Sequence, residues 1–120
     1  MKTTREDFVY FKKRCLYWID RLGITGWELH WAHEEMGGVR GQCAANFDKI
    51  ATLALDKTWD IEPTRKELER TAFHEAGELL LVLLDILARY RFSITESDLD
   101  KERHTIINRL ASALGVGGQK

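Results

Sequence analysis

The chain has 120 residues, of which 44% are hydrophobic, so it can form one domain with a single core and we expect no second domain. Its formal net charge is −1, so no overall basic excess indicates a nucleic-acid or anionic-membrane partner. The two cysteines are far apart in the sequence, which predicts that there is no disulfide framework. The chain shows neither a signal-peptide pattern nor an apolar run that could span a bilayer, and we therefore expect a soluble cytoplasmic protein.

A first helix is predicted over residues 4–22. Apolar residues recur at helical spacing between Phe8 and Leu22, with charged residues between them, and Gly23 supplies a C-terminal stop. The basic run Lys12-Lys13-Arg14 is interpreted as a solvated face of this helix.

Three short strands are predicted next. Trp27, Leu29 and Trp31 alternate with Glu28 and His30, which is typical of a half-buried strand. After a glycine turn, residues 39–47 and 50–55 have the pattern of two further strands. Together they predict a small, mostly antiparallel sheet.

Two more helices are predicted in the rest of the chain. Pro63 suits the first turn of a second helix, which extends to about Arg91 and has a C-terminal half so apolar that it must be buried. Residues 96–114 predict a third helix, followed by a flexible tail at 115–120. We therefore expect one α+β domain over residues 1–120, with an N-terminal helix, a three-stranded sheet and two packed helices.

The second helix contains the sequence His74-Glu75-Ala76-Gly77-Glu78. Residues four apart lie on the same helix face, so His74 and Glu78 can bind one metal ion together. In the H-E-x-x-H arrangement the intervening glutamate lies beside the metal-bound water, which predicts that Glu75 is a general base. Acids in such an apolar helix are costly to bury unless a cation or basic partners compensate them. The candidate partners are Arg70, Arg89 and Arg103.

A zinc site of this kind needs a third protein ligand and leaves its fourth position to water. Because the connection to the third helix is short, the two helices must pack side by side, and the third helix is the expected source of the ligand. Glu102 and His104 flank its apolar stripe at similar angular offsets, so periodicity does not choose between them.

The remaining histidines and cysteines are given structural interpretations. His30 and His33 are interpreted as surface or rim residues, because neither has a second ligand at metal spacing. Cys43 is interpreted as a buried, unreactive thiol, because no basic or helix-terminal activation is visible in the sequence.

The sequence resembles a family of small zincin-type metallopeptidase-like proteins of phages and bacteria, related in plan to SprT-like domains. The resemblance covers roughly residues 27–114. It is carried by the strands Trp27-Glu28-Leu29 and Ile50-Ala51-Thr52-Leu53-Ala54-Leu55, by the helix at His74-Glu75-Ala76-Gly77-Glu78, and by the segment beginning Glu102-Arg103-His104.

The resemblance implies one zinc or other divalent ion per chain, bound by His74, Glu78 and a downstream glutamate, which Glu102 matches. One position departs from the pattern, since Glu78 stands where the family has its second histidine. This exchange makes the site harder and less selective for zinc. With His104 as third ligand, a set of two histidines and one carboxylate would be restored in a different order.

The predicted activity is hydrolysis of a peptide bond by a metal-activated water. An extended peptide or protein substrate is expected to pair with residues 50–55 as an edge strand. The alternative is a non-catalytic, metallopeptidase-like binding protein, phage-encoded, with a degenerate or absent metal site. No nucleic-acid or membrane partner is expected, and the sequence makes no prediction of oligomeric state.

Overall fold

The structure, a computed structural model, describes residues 1–89 and 96–115. Its elements in chain order are α1 (Arg5–Arg21), β1 (Glu28–Glu34), β2 (Gly41–Ala45), β3 (Ile50–Asp56), α2 (Arg65–Arg89) and α3 (Glu96–Ala113). This order confirms the predicted α+β fold. The predicted end of the second helix at Arg91 and residues 116–120 of the predicted tail lie outside the described residues. None of the described helices is both long and apolar enough to cross a membrane.

Local side chains set the start of the first two helices. At α1, the Thr4 hydroxyl accepts the backbone N–H of Asp7, and the Asp7 carboxylate accepts the backbone N–H of Thr4. At α2, Thr64 directly follows Pro63, and its hydroxyl accepts the backbone N–H of Glu67. These contacts satisfy N–H groups that have no partner within the helix, which explains why both boundaries were readable from the sequence.

The three strands form a mixed sheet in the order β1-β3-β2. β2 runs antiparallel to β3, with Gly41 opposite Leu55, whereas β1 runs parallel to β3, with Leu29 opposite Ala51. The sheet is therefore not mostly antiparallel as predicted, because one of its two pairings is parallel. Apolar residues of β3 are buried on both faces of the strand, and a strand of this kind is most stable in the centre of a sheet.

The prediction that residues 50–55 form an edge strand is wrong. Both backbone edges of β3 are already paired, one with β1 and the other with β2. An added peptide would find no free N–H or C=O groups there. Among the described strands, the free edges are the outer sides of β1 and β2.

The connection from β1 to β2 is fixed by Asp56, a fully buried residue at the end of β3. Its Oδ1 accepts the backbone N–H groups of Met36 (3.1 Å) and Thr58 (3.0 Å), and its Oδ2 accepts that of Gly38 (2.7 Å). Burial acts to raise the pKa of Asp56, but the hydrogen bonds outweigh it and hold the pKa below its ordinary value. The carboxylate thus holds the loop that carries β2 to the far side of β3.

The core lies between the sheet and the pair α1 and α2. Cys15 of α1 and Ala72 of α2 are both fully buried, and the Cys15 thiol lies 3.8 Å from the Ala72 carbonyl oxygen. The largest buried side chains of this core include Phe11, Leu53, Leu55, Trp59, Leu68 and Leu79. This packing places α2 beside β2, where the candidate site lies.

Candidate active site

The structure brings His74 and Glu78 together on α2. His74 Nε2 lies 3.9 Å from Glu78 Oε1, and both side chains are more than half exposed. Zinc–nitrogen and zinc–oxygen bonds of about 2.1 Å place two ligand atoms of a tetrahedral ion about 3.4 Å apart. Small side-chain rotations would therefore allow both groups to bind one ion.

Glu75 points in a different direction from this pair and is buried against β2. It is only 5% exposed. A Cβ atom built on Gly41 would lie 3.2 Å from Glu75 Oε2 and 2.7 Å from Thr71 Cγ2, so the lack of a side chain at Gly41 lets β2 approach the carboxylate.

Burial raises the pKa of Glu75 to about 7, with His74 acting to lower it and Glu78 to raise it. A carboxyl group of this kind changes between its protonated and ionised forms near neutral pH. It can therefore accept a proton and release it again under the same conditions.

Two of the cavities beside α2 also border β2. The first, of about 210 Å³, is lined by Val39, Arg40, Gly41, Arg70, Thr71, His74 and Glu75. The second, of about 490 Å³, is lined by Cys43, Glu78, Leu81, Val82, Leu84, Asp85, Ala88 and Arg89. Gly41 and Cys43 are alternate residues of β2, so the strand borders first the cavity of Glu75 and then that of Glu78.

The two candidates for a third metal ligand lie apart from this site. Glu102 is half-buried on α3, and its Oε2 atom is buried without a hydrogen-bond partner among the described residues. His104 is exposed. Within residues 1–89 and 96–115, no three His, Cys, Asp or Glu side chains lie close enough together to hold a metal ion. His74, Glu78 and the unpaired oxygen of Glu102 are chemically suitable ligands for a divalent ion. In this structure, however, Glu102 does not lie close enough to His74 and Glu78 for the three to bind one ion together.

The arginines predicted to compensate Glu75 and Glu78 pair with other acids. Arg70 lies 4.0 Å from Glu67, while Arg89 pairs with Asp85 (2.9 Å) and Arg103 with Asp100 (2.7 Å). That interpretation was wrong, because each arginine meets an acid three or four residues away on its own helix. Glu75 is instead accommodated by its raised pKa, and Glu78 by exposure to solvent.

Of the residues given structural interpretations, His30 and His33 have partners of their own, and Cys43 is a partly buried free thiol. His30 is exposed and lies 2.6 Å from Glu28 Oε2. His33 stacks on Phe8 and lies 2.7 Å from the Thr3 hydroxyl oxygen. Burial raises the pKa of Cys43 to about 12, with Glu75 and Glu78 acting in the same direction, so its thiol stays protonated at neutral pH.

Sequence reasoning missed Gly41 and Thr71. Thr71 precedes Glu75 by four residues, so helical spacing could have placed both on one face. Nothing local indicates Gly41, because its role depends on contact between β2 and a helix 30 residues further along the chain.

Comparison of the chain with protein-family models, with curated proteins and with solved structures gives no match. The resemblance to zincin-type proteins therefore stays a prediction that depends on the residues quoted for it. The geometry itself defines an exposed His–Glu pair and a buried glutamate on one helix, beside an edge strand.

Proposed function

We propose that this protein is a metal-dependent peptidase of the zincin type. The observation that supports the proposal most directly is the position of Glu75, a buried carboxylate that lines a cavity next to His74. General acid–base catalysis is most efficient when the pKa of the base lies near the working pH, and burial brings the pKa of Glu75 to about 7.

The proposal gives each polar residue a separate role. His74 and Glu78 would hold a zinc or other divalent ion, and Glu102, with His104 as its alternative, would have to approach them to supply the third ligand. A bound zinc ion supplies Lewis-acid activation of water and of the peptide carbonyl. Glu75 accepts a proton from the attacking water and donates it to the nitrogen of the leaving amine.

The substrate in this proposal is an extended peptide that pairs with the outer edge of β2. That edge is unpaired among the described strands. In this proposal β2 therefore binds the substrate, in place of residues 50–55 of β3, which the sequence had predicted for this role. Main-chain hydrogen bonds would hold the peptide, and its alternate side chains would meet the cavities beside Gly41 and Cys43.

Metal content and hydrolysis test the proposal together. Elemental analysis of protein purified without added metal should give close to one equivalent of zinc or another divalent ion. Glu75→Gln should keep the metal but reduce peptide hydrolysis by roughly 10²- to 10⁴-fold, as expected for the loss of a general base. His74→Ala should lose the metal, while Glu62→Gln, at an exposed position before α2, serves as a control for both measurements.

Other outcomes would contradict this proposal. Loss of metal in Glu75→Gln would show that Glu75 is a ligand. A protein that is metal-free and also ignores added zinc would remove the peptidase assignment. The second candidate, a metallopeptidase-like domain that binds its partner without catalysis, would then stand. It is favoured by Glu78, a carboxylate where the zincin pattern has an imidazole.

A further inference from the structure

A cavity of about 520 Å³ lies between α1 and the first residue of α2, and it shares no lining residue with the candidate active site. Its lining residues are Arg5, Glu6, Val9, Tyr10, Lys13 and Arg65. Three cations and one carboxylate give this cavity an excess of two positive charges, in a chain whose net charge is −1. The cavity is thus a local basic site that the overall composition does not reveal.

The charges on α1 have a regular spacing. Arg5, Val9 and Lys13 follow at intervals of four residues, so they lie along one face of the helix. A rise of 1.5 Å per residue places Arg5 and Lys13 about 12 Å apart along the helix axis. Val9 lies between them and is 56% exposed. The face therefore offers a cation, an aliphatic surface and a second cation in a line.

Arg65 supplies the opposite wall of the cavity. Its guanidinium carbon lies 4.1 Å from the centroid of the Tyr10 ring. A guanidinium group over an aromatic ring keeps N–H donors that are not directed at the ring, and these are available to an anion.

Arg5, Lys13 and Arg65 have no acidic partner among the described residues. In the part of the chain that the structure describes, Arg5, Lys13 and Arg65 form no ion pair, whereas the neighbouring Arg14 is paired with Glu69. The positive charge of the cavity is therefore available to a ligand.

We propose that this cavity binds an extended acidic segment of a partner protein. In an extended chain, residues i, i+2 and i+4 point to the same side, and four steps of about 3.3 Å cover about 13 Å. A segment with acidic residues at i and i+4 and an aliphatic residue at i+2 therefore matches the line of Arg5, Val9 and Lys13. Arg65 contacts the same segment from the opposite side.

A nucleotide fits the cavity less well. Arg5 and Lys13 are about 12 Å apart along the helix axis, at about 1.5 Å per residue, so one phosphate cannot contact both of them. In addition, Arg65 covers the Tyr10 ring, the only aromatic side chain that lines this cavity. A nucleobase would have no free aromatic face there on which to stack from that side.

The test uses the full chain and a fluorescein-labelled, acetylated and amidated peptide of the sequence Glu-Ser-Leu-Ser-Glu. We expect saturable binding in fluorescence anisotropy that weakens as ionic strength rises. The double variant Arg5→Gln and Lys13→Gln should weaken binding roughly tenfold, since each exposed ion pair contributes a few-fold. Arg21→Gln, on the same helix but outside the cavity, should leave binding within about twofold.

Two further peptides test the charge and the register. The analogue with both glutamates replaced by glutamine should bind at least about tenfold more weakly, because it keeps the shape and removes the charge. The peptide Leu-Ser-Glu-Ser-Glu has the same composition, but its leucine is displaced from Val9, and it should also bind more weakly.

Equal binding of the glutamine analogue, or an equal loss in Arg21→Gln, would overturn the proposal. Tighter binding of inorganic phosphate or of a short single-stranded oligonucleotide at the same residues would overturn it in favour of a phosphate site. Because all the substituted side chains are exposed, the variants are expected to fold.

Discussion

At the scale of single residues, Glu75 combines a cost in stability with the catalytic role proposed for it. It occupies a buried face of α2 together with Ala72 and Leu79, where an apolar residue would pack better. Loss of solvent raises its pKa to about 7, which is the property that a general base needs. The low contribution of Glu75 to core packing supports the proposal that it acts as a general base.

Gly41 gives a direct test of how closely β2 must approach this carboxylate. In Gly41→Ala the new Cβ would lie 2.7 Å from Thr71 Cγ2, so β2 and α2 must move apart. We expect a loss of about 1–3 kcal/mol in the free energy of unfolding, as is typical of overpacking. Urea unfolding measures this loss, and any hydrolytic activity should fall with it.

Gly77→Ala is the matched control. Gly77 lies within α2, and a Cβ built there would meet no atom within 4 Å. Alanine should therefore stabilise the helix by about 0.5–1 kcal/mol. Equal effects of the two substitutions would show that the contact with β2 does not decide the outcome at Gly41.

Glu102 and His104 can be separated by metal affinity. Glu102→Ala should weaken the binding of zinc strongly, while His104→Ala should leave it nearly unchanged, because Glu102 is the proposed third ligand. Titration of chelator-treated protein with zinc measures both. The reverse result would transfer the role to His104.

The buried Oε2 atom of Glu102, which has no hydrogen-bond partner among the described residues, predicts a second effect in the absence of metal. A buried polar atom without a partner costs free energy, so removing it should not destabilise the metal-free protein. In chelator-treated protein we expect Glu102→Ala to unfold at the same urea concentration as the parent or at a higher one. A clear loss of stability would indicate a structural role instead.

At the scale of elements, α1 and α2 are joined by a polar cluster centred on Glu69. Its carboxylate accepts hydrogen bonds from the Arg14 guanidinium, from the Trp18 indole and, at 3.4 Å, from the Tyr10 hydroxyl. Arg14 was predicted to lie on a solvated face with Lys12 and Lys13. The two lysines are exposed, but Arg14 is half-buried in this cluster.

Glu69→Ala should therefore loosen the contact between the two helices. It leaves the Trp18 N–H and the Arg14 guanidinium without their acceptor, and such a loss costs about 1–3 kcal/mol. Glu62→Ala, at an exposed position just before α2, should change stability by no more than about 0.5 kcal/mol. Thermal and urea unfolding of both variants measure the difference, and a neutral Glu69→Ala would contradict the role given to this cluster.

At the scale of the whole molecule, the half-buried His33 and the buried Asp56 and Glu75 make separate contributions to how stability depends on pH. Burial, followed by Lys57, lowers the pKa of His33 in the folded protein. Through His33, stability should therefore fall as the pH decreases below about 6.5, because the unfolded chain binds more protons at this residue than the folded one does. Glu75 acts in the opposite direction: burial raises its pKa in the folded protein to about 7, so its contribution to stability should rise as the pH decreases from about 7. The pKa of Asp56 is also below its ordinary value, so its contribution is present at neutral pH and is lost as the pH falls below about 4.

Asp56→Asn isolates the second of these effects. Asparagine has one acceptor oxygen where Asp56 uses two, so we expect a loss of about 1–3 kcal/mol at pH 7. The loss of stability below about pH 4 should become shallower, while the contributions of His33 and Glu75 should remain. Urea unfolding between pH 3 and 8 measures both, with the exposed Asp20→Asn as control. An unchanged acid profile in Asp56→Asn would contradict this account of the loop.

The sequence by itself determined the helices, the positions of the strands and the pairing of His74 with Glu78. Each depends on residues close together in the chain: the cap at Thr4, the alternation from Trp27 to Trp31, and the spacing of four on α2. Local periodicity therefore suffices for this level of structure.

The tertiary structure alone decided the strand order, the close approach of Gly41 to Glu75 and the separation of Glu102 from His74 and Glu78. It also decided that Arg5, Lys13 and Arg65 share one cavity. Strand pairing and helix packing depend on contacts between residues that are distant in sequence. The apolar side chains of β3 are buried on both of its faces, which favours its central position in the sheet. Burial, which raises the pKa of Glu75, also results from this packing.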